Sequence, residues 1–150
     1  PPFDFYDAVH PVYTHPRFLP ATKIEGCHLR QALVSEGCIL MGAEIERSVV
    51  GIRSRIGAGT GIKDSLVLGA DDYESLEEID RAHAKGKPPV GIGGDSVIER
   101  AIVDKNSRVG RGVRILSEAG VQEADGDGYY IRDGIVIVPK GGVVHDGTVI

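Results

Sequence analysis

The chain is poor in the residues that usually mark a site or a membrane. It has no Trp, one Met and two Cys in 150 residues, and aromatics make up 5%. Two cysteines, Cys27 and Cys38, with no CxxC or Cys/His spacing, give no zinc framework and read as buried reduced thiols. No apolar run approaches the roughly 18 residues of a membrane span, and no basic-then-apolar leader is present. Basic residues are outnumbered 17 to 22, for a net charge of −5, which argues against nucleic acid or an anionic membrane as partner. No nucleophile elbow or P-loop occurs. GIGGDS, Gly91 to Ser96, has the wrong spacing for a phosphate loop and reads as a turn. The histidines His10, His15, His28, His83 and His145 share no spacing that would gather a metal.

What remains is glycine, at 21 residues, interleaved with Ile, Val, Leu and Ala. These residues recur with a period of six. One run is Leu33, Ile39, Ile45; a second is Val50, Ile56, Ile62, Leu68; a third is Val97, Val103, Val109, Ile115, Val121; a last is Ile131, Ile137, Val143, Val149. Two positions earlier the residue is usually small, as at Gly37, Ala43, Ser48, Ser54, Thr60, Ala101, Ser107, Gly141 and Gly147. One position later it is often glycine, as at Gly51, Gly57, Gly69 and Gly110. A helix needs a period of 3.6 and a simple strand a period of two. Period six predicts an all-β parallel β-helix, a hexapeptide-repeat solenoid with one aliphatic residue per strand pointing inward.

Two stretches break the pattern. Gly69 to Pro89 reads as a helical insertion (about residues 70–90) of roughly three turns, capped by Asp71 or Asp72 and ended by Gly86. Ser117 to Tyr130 is polar and glycine-rich and reads as a loop excursion on the surface. The first twenty residues hold five prolines and five aromatics, which suits an extended linker. The expected organisation is a linker over 1–22 and a β-helix over 23–150, forming a C-terminal piece of something longer or a processed chain.

Candidate chemistry is sparse. VGIRSRIG, Val50 to Gly57, is echoed by VDKNSRVG, Val103 to Gly110, but the second copy carries Asp104 and Lys105 where the first has Gly51 and Ile52. Lys140 follows Ile137 by three and, like Lys105, falls at a turn. Two solvated lysines and an anion site both fit. The spacing does not say whether they share a corner, because the excursion obscures the count.

YTHPRFLPATKI, LVLGADDYES, PPVGIGGDSVIERAIVDKNSRVG, GVQEADGDGYYIRDGIVIV and the final DGTVI follow one another in order. Together they resemble the C-terminal region of glucose-1-phosphate adenylyltransferase (ADP-glucose pyrophosphorylase), closest to the cyanobacterial and plant type. The resemblance covers essentially the whole chain. It implies a left-handed parallel β-helix that supports a tetramer and helps bind allosteric effectors. It also implies a parent nucleotidyltransferase that makes ADP-glucose and pyrophosphate from ATP and glucose 1-phosphate. The catalytic residues, with their Mg²⁺ and ATP, would then lie in a domain upstream of this chain. Partners would be that domain, other subunits and a phosphorylated effector such as 3-phosphoglycerate. The setting would be bacterial cytoplasm or plastid stroma.

Carried over by motif, Lys105 and Lys140 match two lysines of the activator site, and Arg17 matches an arginine lining the effector pocket. Asp104 and His15 are neighbouring candidates. VPKGG, and a short loop around Asp125–Gly128, depart from the relatives. Two alternatives are a free-standing hexapeptide acyltransferase, which would be a trimer stabilised by acetyl-CoA, and a structural β-helix without ligand.

Overall fold

A computed structural model describes residues 4–13, 15–116 and 120–150. Between Lys23 and Val144 the chain forms short strands and one helix, and the strands fall into three sheets. The first sheet stacks Lys23–Glu25, Ile39–Met41, Arg55–Ile56, Gly91–Ile92, Arg108–Val109 and Val143–Val144, all parallel. The second stacks His28–Arg30, Glu44–Glu46, Gly61–Lys63, Val97–Glu99 and Arg114–Ile115 in the same sense. The third stacks Leu33–Val34, Val49–Val50, Leu66–Val67, Ala101–Val103 and Ile135–Val138. The chain visits the three sheets in turn, so each circuit is one coil of a three-sided prism. The expected parallel β-helix is the fold.

The period of six holds only in part. Lys23 pairs with Ile39 and Ile39 with Arg55, a step of 16, while Glu44 pairs with Gly61, a step of 17. Three full hexapeptides would need 18. One residue of the shortfall comes in every coil at the corner between the second and third sheets, which Gln31, Arg47, Asp64 and Arg100 each turn with φ between 44° and 52°. In the 16-residue coils the corner between the first and second sheets is short as well, turned by Gly26 and Gly42 at φ 62° and 51°. A single residue in the left-handed region bends the chain in less length than a longer turn. The unfavourable φ is held by a backbone ladder in which Arg47, Asp64 and Arg100 donate to the preceding coil at 3.0–3.1 Å. Inward residues therefore shift frame at each short corner, twice in the first two coils and once in the later ones. Ile45, Val50, Ile56, Ile62, Val103, Val109 and Ile115 are buried as the hexad predicts. Elsewhere Leu40, Val67, Ile98, Val138 and Val144 fill the core in place of Ile39, Leu68, Val97, Ile137 and Val143, and Val121 and Val149 are exposed.

The small residues before the core positions are buried, except Gly141 and Gly147 near the end of the chain, and the hydroxyls among them serve the corners. Ser48 Oγ donates to the Glu46 carbonyl at 2.7 Å and accepts from the Ser65 amide at 3.1 Å. Ser65 Oγ repeats the arrangement with Lys63 and Ala101. The bonds to the Ser65 and Ala101 amides give partners to backbone donors inside the fold. The two cysteines occupy equivalent small positions. Cys38 is buried, and burial pushes its thiol pKa up, but Cys27 is only half-buried because it lies in the first coil.

The insertion helix runs Leu76–Ala84 and is shorter than expected. Its cap is Ser75, not Asp71 or Asp72. Ser75 and Glu78 form a reciprocal capping box, an S-x-x-E pattern that satisfies two end amides at once. Gly86, at φ 66°, closes the other end as expected, its amide donating to the His83 carbonyl. The second departure is the excursion. Its residues 117–119 lie outside the described ones, but Glu123–Asp125 and Tyr130–Arg132 form an antiparallel hairpin added to Ile135–Val138. The Asp127-Gly128 pair turns it, with the Gly126 amide donating to the Tyr129 carbonyl, and Arg132 pairs with both Glu123 and Asp125. GIGGDS is also not wholly a turn, since Gly91–Ile92 is the first strand after the insertion.

The hairpin places Ile131 on the core and extends the third sheet past its last coil. The opposite end is open. Ile24 and Leu29 are in register with the buried Leu40 and Ile45, yet they are 48% and 40% exposed.

Candidate functional site

Lys105, Lys140 and Asp104 all fall on the corner between the third and first sheets. Stacked along it are Gly51-Ile52-Arg53-Ser54, Asp104-Lys105-Asn106-Ser107 and Pro139-Lys140-Gly141-Gly142. Backbone bonds fix the alignment: the Ala70 amide donates to the Ile52 carbonyl, Asn106 to Gly69, and Gly141 to Lys105. Ile52, Gly69, Lys105 and Lys140 thus occupy one column, on consecutive coils. The two lysines do share a corner, and the insertion leaves the solenoid one coil before Lys105. Gly69 allows that exit, because a side chain there would run into the Ile52 carbonyl oxygen and its φ is 86°.

Two residues after Gly69, Asp71 turns back onto the column. Its Oδ1 accepts from Lys105 Nζ at 2.9 Å and its Oδ2 from Lys140 Nζ, also at 2.9 Å. Asn106 completes the grip, with Nδ2 donating to Asp71 Oδ2 at 2.9 Å and Oδ1 accepting from the Asp71 amide at 2.8 Å. Lys105, then Lys140, then Asn106 hold the Asp71 carboxyl well below the usual carboxylate range. In return Asp71 pushes the Lys140 ammonium up, with a smaller effect from Asp104. Asp104 caps its own turn, its Oδ1 accepting from the Lys105 amide at 2.6 Å. Lys105 and Asp71 are 36% and 37% exposed and Lys140 is 60% exposed, so the cluster meets solvent. It holds two cations around one carboxylate, each ammonium bonded to a different oxygen.

The insertion is fastened along the same edge. Glu74 pairs with Arg108 and accepts from the Val90 amide at 2.7 Å, while Arg108 also donates to the Pro88 carbonyl at 2.8 Å. Tyr73 reaches down to donate to the Gly37 carbonyl at 2.8 Å, with Arg53 over its ring. A cavity of about 700 Å³ lies beside the helix over the first sheet, lined by Met41, Arg55, His83, Pro89, Val90 and His145 among others.

Arg17 and His15 do not enter the cluster. Both are exposed in a stretch without regular structure, and neither has a hydrogen bond or ion pair to another described residue. The residues just after them do reach the same edge of the prism. Gly37 donates to the Pro20 carbonyl, and Thr22 Oγ1 donates to the Ser35 carbonyl. Gly37 lies three coils below Asn106, roughly 14 Å at the strand spacing of a sheet. Sequence reasoning missed Asp71, read as a helix cap, and Asn106. The step of one long coil from Gly69 to Asn106 would have found both.

A family model, the GLGC left-handed parallel beta-helix domain, matches residues 17–149. This chain belongs to that family. The match to the GLGC β-helix family agrees with the resemblance to the C-terminal region of glucose-1-phosphate adenylyltransferase, whose parent protein is a nucleotidyltransferase. It also supplies the left hand of the coil. The matched span of the GLGC domain takes in Arg17, the insertion, Asp104, Lys105 and Lys140, but not His15.

Proposed function

We propose that this GLGC domain is the regulatory and oligomerisation part of a glucose-1-phosphate adenylyltransferase of the cyanobacterial and plant type. The parent enzyme joins ATP and glucose 1-phosphate into ADP-glucose and pyrophosphate, for starch or glycogen synthesis. Its catalytic residues lie in an upstream domain, and this chain alone does not catalyse the reaction. Mg²⁺ and ATP belong to that upstream domain. The open apolar end at Ile24 and Leu29 supports a covering partner there, which we take to be that domain. The enzyme is a tetramer, in bacterial cytoplasm or plastid stroma.

Lys105 and Lys140 bind a phosphorylated carboxylic acid such as 3-phosphoglycerate. Arg17 contributes from the segment joining the domains, where its planar fork suits a phosphate or carboxylate. Asp104 holds the turn that carries Lys105, and His15 lies beside Arg17. Effector bound between the two domains favours the active arrangement of the pair. The observation that carries this reading is the two lysines on consecutive coils, both bonded to one carboxylate. In the full-length enzyme, Lys105→Glu and Lys140→Glu should each raise the 3-phosphoglycerate concentration for half-activation by an order of magnitude or more, roughly the effect of reversing one charge in an anion site. Activation curves that overlay the parent's would remove both lysines from the effector site.

A further inference from the structure

The lysine pair is not an open anion site, because this chain already fills it. Asp71 places one carboxylate oxygen on each ammonium at 2.9 Å, which is how a bidentate anionic ligand would sit. We infer that Asp71 is a built-in competitor for the effector, a carboxylate that occupies the lysine pair until a stronger anion displaces it.

This rests on the effector reading above and adds its regulation. Three observations support it. With Asp71 in place, the two lysine charges face one bonded carboxylate, and Asp104 lies close enough to act on Lys140, so an arriving anion meets little net positive charge. All three partners are partly open to water, and exposed ion pairs exchange readily because solvent competes for both members. A phosphate brings about two charges and three acceptor oxygens where Asp71 brings one charge and two oxygens. Asp71 also lies at the root of the insertion, before Tyr73 and Glu74, which tie the same segment to Gly37 and Arg108. Releasing its carboxylate frees residues 70–72 from one side, and so passes occupancy of the anion site to the insertion.

The test is binding of 3-phosphoglycerate to the full-length enzyme, parent against Asp71→Asn. Removing the competing charge should lower the half-saturating concentration roughly three- to fivefold. Asp72→Asn removes a neighbouring charge without removing the contact, and should shift binding by less than half as much. An Asp71→Asn enzyme with unchanged or weaker binding overturns the inference, as does an Asp72→Asn enzyme that tightens equally. A measurement on the unmutated enzyme reads the same displacement: at saturating 3-phosphoglycerate, amide exchange over residues 70–73 should speed up severalfold. Unchanged or slower exchange counts against displacement. If Lys105→Glu and Lys140→Glu also leave affinity unchanged, the effector reading itself fails. If they weaken it while Asp71→Asn does not tighten it, the site stands and the competitor does not.

Discussion

VGIRSRIG and VDKNSRVG turn the same corner on the same edge of the prism, but they meet different neighbours. At the first, a Cβ on Gly51 would come within 2.4 Å of the Leu68 carbonyl oxygen, so the next coil leaves no room for a side chain. At the second, Asp104 stacks under Pro139, its amide donating to the Val138 carbonyl at 2.9 Å and its side chain capping the turn. The shared serines do the same work in both copies. Ser54 Oγ donates to the Gly51 carbonyl and Ser107 Oγ to the Asp104 carbonyl. One corner is scaffold only, whereas the other is scaffold with room for a charged pair.

The largest effect is expected at the closed corner. Gly51→Asp, which copies the second motif into the first, should destabilise the fold by about 3 kcal/mol through overpacking, measured by urea unfolding. Asp104→Gly should cost much less, because it removes a capping side chain and creates no clash.

Next in size is the fastening of the insertion. Glu74 and Arg108 are 12% and 22% exposed, and cutting a largely buried pair leaves the other charge without its partner. Arg108→Ala should cost about 2 kcal/mol by the same assay, discounted from a fully buried pair for residual exposure.

The hexad pattern was enough to read the parallel β-helix from the chain, because one inward aliphatic residue per strand leaves a mark that neither a helix nor a hairpin imitates. It was not enough to place every core residue. The left-handed corners at Gln31, Arg47, Asp64 and Arg100 shorten each coil, and a polar residue with positive φ has no distinctive spelling. Asp127-Gly128 spells the turn of the hairpin, but the polar residues around it lack the alternating apolar face that marks strands. Ser75 with Glu78 spelled the helix start more clearly than Asp71 did. Of the site, Lys105 and Lys140 stood out as departures from a repeat, while their meeting through Asp71 depends on coil counts that the insertion and excursion hide. Arg17 carries no such mark, and its assignment rests on the motif around it.

Acid should act on the second corner with a smaller effect. The folded pKa of Asp71 is depressed below its ordinary 3.8, so its contribution is complete above that pH and is lost only as pH falls further, through the folded value. The difference in thermal midpoint between parent and Asp71→Asn should therefore be constant from neutral pH to about 4 and vanish in stronger acid. A difference already lost by pH 5 would mean that the lysines do not hold this carboxylate. The smallest effect is expected from Lys105→Ile, which restores the residue of the first corner. It should lower stability by less than about 1 kcal/mol, the usual worth of a solvent-accessible ion pair, while weakening 3-phosphoglycerate binding.

The most direct measurement is a crystal structure of the full-length enzyme with 3-phosphoglycerate bound. If the effector displaces Asp71, effector oxygens lie within hydrogen-bonding distance of both Lys105 Nζ and Lys140 Nζ, with the Asp71 carboxylate moved off the pair. Effector bound elsewhere, with both lysines still on Asp71, would contradict that displacement.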